Sequence, residues 1–442
     1  MSENTSKRGR NTVKPTVLLA ATTRWVPTAR LAMALADTGF AVEIVCPSGH
    51  PLSNTRVARQ THRYQGLAPL RCFSAAIGAS RPDLIVPADD LATRHLHRLH
   101  QHENSRGKSG KTVCALIERS LGATESFPVV FARKTFLDLA RKQGIRSPKT
   151  VVVNRPDDLK QWANDTGFPA VLKADGTSGG NGVRIVYGLD EAQRAFRALA
   201  APPLLARALK HALLDRDSTL LAPALLRHRS VVNAQAFVPG REATSAIACW
   251  KGVVLASLHF EVIHKAQALG HATVVRMLEN REMAVAAERI ARRLCLSGLH
   301  GLDFMLDEDG RAHLIEINPR STQIGHLTLG SGRDLPAALY GAVSGKPIQP
   351  SPRMTDSDTI TLFPQEWIRD PASPYLRSDY QDVPWQEPEL VRACVLNRRK
   401  QSAWYSKRVV DSNSDATVVA SAVDGRVLCA VPADLASTRE PS

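Results

Sequence analysis

Asp303, Glu316, Asn318 and Arg320 put two carboxylates, a carboxamide and a guanidinium on one short stretch, LDFMLDEDGRAHLIEINPR. Asp309-Gly310 within it is a preferred two-residue hairpin turn. Pairing the strands about that turn sets Leu306 opposite His313, Phe304 opposite Ile315 and Asp303 opposite Glu316. Strict alternation places Ile315 and Ile317 on one face, and Leu314, Glu316 and Asn318 on the other. Facing carboxylates about 5 Å apart repel. A divalent cation between them reverses the sign, and Asn318 supplies a third oxygen. Carboxylate and carboxamide oxygens suit magnesium or manganese, not zinc. Magnesium keeps positions for water and phosphate oxygens, so the pattern implies a phosphorylated ligand. Arg320 then stands ready for a phosphate or a carboxylate. A four-residue turn would set Leu314 opposite Asp303 instead. A plain solvent-facing hairpin is the alternative, but it gives no reason for Asn-Pro-Arg at its end.

The second candidate is KADGTSGGNG, where Gly176, Gly179, Gly180 and Gly182 free backbone N–H groups to wrap an anion. It lacks the G-K-[ST] and following helix of a Walker A loop, and the strand VRIVY comes next. The segment therefore reads as a flap between two antiparallel strands. Lys173 lies in the first of them with no charge partner nearby in sequence. It is either solvent-facing or a phosphate ligand.

These residues need elements to position them. Residues 16–46 read strand, helix, strand (TVLLAA, VPTARLAMALADTGF, AVEIVC), and a later strand, DLIVPADD, ends in Asp89 and Asp90. Such alternation predicts a parallel, Rossmann-like sheet. The first turn, AATTRW, lacks G-x-G-x-x-G, which argues against NAD. Asp89 and Asp90 read as a helix N-cap with a neighbouring acid, or as site residues beyond the strand ends. The run RHLHRLHQH (His95, His97, His100, His102) reads as a solvated helix face, because Arg94 and Arg98 among the histidines disfavour a cation. FARKTFLDLARKQG predicts a helix ending at Gly144. AVAAERIARRLCLSG predicts an amphipathic helix, and the stretch after about residue 350 an irregular extension.

The bulk properties exclude several classes. At 442 residues the chain exceeds one core and supports two or three packed units. No run reaches the roughly 18 consecutive apolar residues of a membrane helix. The polar, basic start has no signal-peptide pattern, so a disordered tail on a cytoplasmic protein is expected. The 7 cysteines include no C-x-x-C pair, so reduced, mostly buried thiols are expected. The net charge of +15 is scattered and not interleaved with aromatics, which disfavours nucleic acid and suits anionic nucleotides.

FPAVLKADGTSGGNG, QAFVPGRE and LDFMLDEDGRAHLIEINPR, in this order, resemble the ATP-grasp superfamily, including the ATP-grasp units of carbamoyl phosphate synthetase and biotin carboxylase. The resemblance covers roughly residues 15 to 345 and implies α/β and α+β architecture: a Rossmann-like domain, then a two-lobed ATP-grasp fold. The expected division is a tail (1–14), the Rossmann-like domain (15–125), a small lobe with flap and basic helical insert (126–234), a catalytic lobe with the metal site (235–345) and a C-terminal extension (346–442). By the same resemblance, Lys173 touches the ATP phosphates, and Lys134 (or Arg133) is the earlier basic residue. Ser178, Gly179 and Gly180 fall in the flap. Gln235 to Val238, including Phe237, form the adenine hinge, and Glu242 holds the ribose. Asp303, Glu316 and Asn318 bind magnesium or manganese, and Arg320 steadies the transferring phosphate. Gln235 and Ala236 depart from the family's frequent Glu-Lys, and the insert near 203–229 lengthens the stretch between flap and hinge.

The implied activity is an ATP-dependent carboxylate–amine ligation through an acyl phosphate, on small-molecule acid and amine substrates. The alternatives are a bicarbonate-using carboxylase or carbamoyl-phosphate-type enzyme, and a nucleotide sensor without turnover. Candidate substrate contacts are Arg333, His264 and the end of DLIVPADD. A homo-oligomer is compatible with the sequence.

Overall fold

Short, fully apolar strands alternate with helices at the start of the chain, and they form the parallel sheet that pattern implies. The computed structural model describes residues 14–177, 182–201, 230–349 and 351–396. The N-terminal domain comprises β1 (Thr16–Ala20), α1 (Val26–Asp37), β2 (Ala41–Cys46), β3 (Gln60–Arg63), α2 (Pro69–Ser80), β4 (Leu84–Pro87), α3 (Asp90–Ser105) and α4 (Lys111–Leu121). Its strands are parallel in the order β3-β2-β1-β4. Asp89 is indeed the N-cap of α3, accepting from the Ala92 amide at 2.9 Å. It also receives the Thr22 amide at 2.6 Å and hydroxyl at 2.7 Å, which ties the ends of β1 and β4 together.

The histidine run corrects an expectation. His95, His97 and His100 are buried inside α3's packing surface, not solvated. His95 meets the Tyr64 hydroxyl at 3.2 Å, His97 stacks on Phe127, and His100 pairs with Glu118 at 2.7 Å. Burial first, and nearby arginines second, push His95 down to about 4 and His97 to about 3, so both are neutral rings used as packing.

After α5 (Arg133–Lys142) comes a four-stranded antiparallel sheet, β5-β8-β6-β7. It is built from β5 (Thr150–Val153), α6 (Asp158–Asp165), β6 (Ala170–Ala174), β7 (Val183–Val186), α7 (Leu189–Ala200) and β8 (Val232–Ala236). Ala170, Leu172, Val232 and Ala234 face its own small core, so alternation turns Lys173, Asn233 and Gln235 to the opposite face.

The large sheet follows: β9 (Arg241–Trp250), β10 (Val253–Lys265), β11 (Ala272–Met277), α8 (Arg281–Leu294), β12 (Gly298–Leu306) and β13 (Ala312–Asn318). Then come α9 (Leu335–Ser344), β14 (Thr359–Thr361), α10 (Gln365–Arg369), α11 (Tyr375–Ser378), β15 (Tyr380–Gln381) and α12 (Pro388–Leu396). The strand order is β13-β12-β9-β10-β11-β14-β15.

Two expected boundaries shift. Phe136, Leu137 and Ala140 of α5 share a core with Ala243, Ile247, Leu314 and Ile317, so α5 belongs to the large sheet rather than to the small lobe. The C-terminal extension is also no loose appendage up to residue 396. β14 and β15 complete the large sheet, while Leu390 and Cys394 share one core with Val17, Leu31, Leu258 and Phe260. The described cysteines are all free, and Cys46, Cys114, Cys249 and Cys394 are buried as expected. The tail to residue 13, the stretch 202–229 holding nearly all of the basic insert, and Cys429 lie outside the described residues.

Candidate active site

The hairpin brings Asp303 opposite Glu316 and Gly301 opposite Asn318. It reaches that register by a route different from the expected one. The loop holds residues 308–310 between Asp307 and Arg311, closed by Asp307 N–H to Arg311 O at 3.1 Å, with Gly310 at φ +75°. Leu306 therefore faces Ala312, not His313, and Phe304 faces Leu314, not Ile315. A bulge between Asp303 and Phe304 then restores the register at the carboxylates. It also changes the alternation, so Leu314 packs in the core with Ile317 while Glu316 and Asn318 face the cleft. A side chain on Gly301 would strike the Thr322 methyl at 2.3 Å, so this glycine clears the approach of the Asn-Pro-Arg segment.

Asp303 accepts from Thr244 Oγ1 at 2.9 Å and from Asn318 Nδ2 at 2.8 Å. Burial, then repulsion from Glu316, raises its pKa despite those bonds. Burial would raise Glu316 as well, but Arg133, Lys173 and Arg320 together outweigh it and hold that carboxyl below its ordinary range. Arg133 reaches Glu316 at 3.0 Å and Asp175 at 2.8 Å. Asn233 Nδ2 also donates to Asp175, at 3.0 Å.

Lys173, 5% exposed, faces this group from β6. No hydrogen bond or ion pair holds it among the described residues, and burial, opposed by Glu316, brings its pKa down to about 8. Two further polar atoms of the site, Arg133 Nε and Asn233 Oδ1, are buried without a described partner.

Arg320 is steered from the N-terminal domain. Its Nε lies 3.3 Å from Asp90 Oδ1, and its Nη2 donates to Asn318 Oδ1 at 3.2 Å. The backbone around it is pinned by Ser321 N–H to Pro87 O at 3.0 Å and by Thr93 Oγ1 to Pro319 O at 2.9 Å. Glu242 is held by Lys265 at 2.6 Å. The Gln235 amide turns into the small sheet and donates to Thr150 Oγ1 at 3.3 Å, while Phe237 is 36% exposed in the link to β9 beside half-buried Val238.

Of the two candidate cations on α5, Arg133 enters the carboxylate group. Lys134 turns outward to Asp138 at 2.5 Å. Ser178, Gly179 and Gly180 lie outside the described residues. Sequence reading missed Asp175, Asn233 and Lys265 altogether. Only strand alternation could have flagged Asn233, two residues before Gln235 on the same face. Arg333 pairs with Glu279, and His264 stacks edge-on with Tyr375 at 5.1 Å, so neither joins the cluster.

Among the described residues no group of three or more His, Cys, Asp and Glu side chains could hold a metal ion. Asp303, Glu316 and Asn318 bring side-chain oxygens, the kind of donor that suits a hard divalent cation, to one side of the hairpin.

Residues 221–323 match the model of an ATP-grasp domain. Curated relatives include the carbamoyl phosphate synthase large chain of Pasteurella multocida, 21% identical over 231 residues, covering 51% of this chain and 20% of that protein. The formate-dependent phosphoribosylglycinamide formyltransferase of Bacteroides thetaiotaomicron is 24% identical over 255 residues, covering 58% of each. The chain thus spans a minor part of the first and little more than half of the second. Among solved structures, N5-carboxyaminoimidazole synthetase of Staphylococcus aureus with ADP superposes with TM-score 0.52 at 14% identity, over 77% of this chain and 80% of that one. The biotin carboxylase domain of Hydrogenobacter thermophilus 2-oxoglutarate carboxylase, with MgADP and bicarbonate, gives 0.53 at 15%, over 76% and 71%. Residues 221–323 thus carry an ATP-grasp domain match, and the chain shares the fold of these solved structures.

Proposed function

We propose that the protein is an ATP-dependent carboxylate–amine ligase acting through an acyl phosphate. The observation that carries this reading is Asp303 facing Glu316 with Asn318 on the same side, between the two cations Lys173 and Arg320. A carboxylate oxygen of the acid attacks the γ-phosphorus of ATP, the bond to the β–γ bridging oxygen breaks, and ADP leaves. The amine nitrogen then attacks the acyl carbon, inorganic phosphate departs, and the amine proton passes to solvent.

Lys173 and Arg320 offset charge on the phosphoryl oxygens, an effect worth about 10²–10³ in rate per donor in a water-poor site. Arg133 binds nucleotide phosphate after exchanging Glu316 for it, and Asp175 and Asn233 keep it aimed. Magnesium or manganese bound by Asp303, Glu316 and Asn318 would supply further neutralisation of the β- and γ-phosphate oxygens. Gln235 to Val238 line the adenine side, and Glu242, with Lys265, the ribose side. No nucleophilic side chain is required, since positioning and electrostatics suffice.

The test is ADP release from purified protein with MgATP and a panel of acids and amines, alone and in pairs, with Glu316→Ala as control. Release that needs an acid and an amine together and is lost in Glu316→Ala supports the ligase. Release with bicarbonate alone replaces it with the carboxylating or carbamoyl-phosphate-type reading. MgATP binding without release under any pair replaces it with a nucleotide sensor.

A further inference from the structure

Among the described residues four cations border Asp90, Asp175, Asp303 and Glu316, and three already have work. Arg133 is held by Asp175 and Glu316, Arg320 by Asp90 and Asn318, and Lys173 faces the phosphate position. The fourth is Arg94. It lies one helical turn after Asp90 on α3, so the two share a helix face with about 5–6 Å between their Cβ atoms. Its guanidinium stacks over the Phe131 ring, 3.9 Å from the centroid. Its Nη2 is 3.5 Å from where a Cβ on Gly176 would sit, which places it between α3 and the end of β6.

Asp90 and Asp175 are close enough to attract it, yet among the described residues Arg94 enters no ion pair. Both carboxylates are spent elsewhere: Asp90 on Arg320 at 3.3 Å, and Asp175 on Arg133 at 2.8 Å. A half-buried guanidinium stacked on an aromatic ring and left without an anion is set to receive one.

We propose that Arg94 binds a second anionic group of the acid substrate, which is therefore a dianion: one carboxylate reacts beside Arg320, and the other sits about one helical turn away, on Arg94. This rests on the ligase reading. It extends that reading by making the N-terminal domain the part that selects the acid, through Asp90 and Arg94 on one face of α3. The partner chemistry is that of a short dicarboxylate or a carboxylate bearing a phosphate or phosphonate.

The test uses the full chain saturated with MgADP. Malonate, succinate, glutarate and phosphonoacetate are titrated against acetate, propionate and butyrate at matched ionic strength. At least one dianion is expected to bind roughly ten-fold or more tightly than its monoanionic counterpart, the factor of one charge-assisted contact. Arg94→Gln should abolish that preference while leaving the melting temperature unchanged and the MgADP Kd within about two-fold of wild type, and Arg94→Lys should retain part of it. No preference in the wild type, or a preference that survives Arg94→Gln, overturns the proposal. So does Arg94→Gln weakening MgADP itself with the preference intact, which would move Arg94 to the nucleotide. Failure of the wild type to bind MgADP, seen before any acid is added, would defeat the ligase reading and this inference together.

Discussion

Among the described residues, two buried charge clusters differ in character. Arg30, Asp382 and His326 join α1, the segment after β15 and the loop that follows Arg320. Asp382 is 1% exposed, with one oxygen on Arg30 and the other 2.6 Å from His326. Burial would raise Asp382, but His326 and Arg30 overcome it and hold the carboxyl down at about 2. In the cleft, by contrast, Lys173 has no partner among the described residues, and Asp303 is raised by burial and then by its neighbour Glu316. A closed cluster stabilises the fold. An open one keeps charge unsatisfied until a ligand arrives, and its groups depart from their ordinary pKa values because of it.

That contrast can be broken by mutation. Asp382→Ala should cost the most, about 3–5 kcal/mol of unfolding free energy, since it strands Arg30 and His326 in the interior. A denaturant midpoint close to wild type would show the cluster is not closed. Glu316→Ala should cost less stability than Asp382→Ala, because the ion pair lost from Arg133 is partly offset by relief of the repulsion on Asp303, with MgATP-dependent turnover down about 10²–10³-fold. Steady-state ADP release together with a melting curve reads both.

Lys173 gives opposite signs in two assays. Its pKa in the fold is about 8 against an ordinary 10.5, so it is charged below pH 8. MgATP affinity should fall as pH rises through about 8, approaching ten-fold per pH unit. Between those two values the unfolded chain binds the extra proton, so the ligand-free fold should gain stability as pH rises. Lys173→Met should flatten both profiles. The smallest effect is expected at Lys134→Ala, within about 0.5 kcal/mol in stability and two-fold in MgATP affinity, as for an exposed ion pair. Arg133→Ala should weaken MgATP at least ten-fold, and equal effects from the two would dissolve the distinction between them.

Much of the site could be read from residue types. The facing of Asp303 and Glu316 came out as expected even though the turn that motivated it did not, because the bulge at Ile315 compensates for a one-residue longer loop. A bulge leaves no mark in alternation, which is why Leu314 was placed on the wrong face. The histidines of α3 depart from their local pattern for a related reason. Polar residues at helical spacing look solvated until α4, Tyr64 and Phe127 close over them.

The sequence by itself determined the chemistry on offer: oxygen donors at the end of a hairpin, a lysine inside an apolar strand, an arginine after Asn-Pro, and a parallel sheet ahead of them. Only the tertiary structure decided which groups meet. Arg133 rather than Lys134 faces Glu316 because Phe136, Leu137 and Ala140 set the rotation of α5 against the large sheet. Arg94 and Asp90 reach the cleft because Thr93 and Pro87 dock α3 and β4 against the segment carrying Arg320. Local pattern fixes the period of a helix, but its phase relative to a distant strand is set by packing, and that phase selects the side chains of the site.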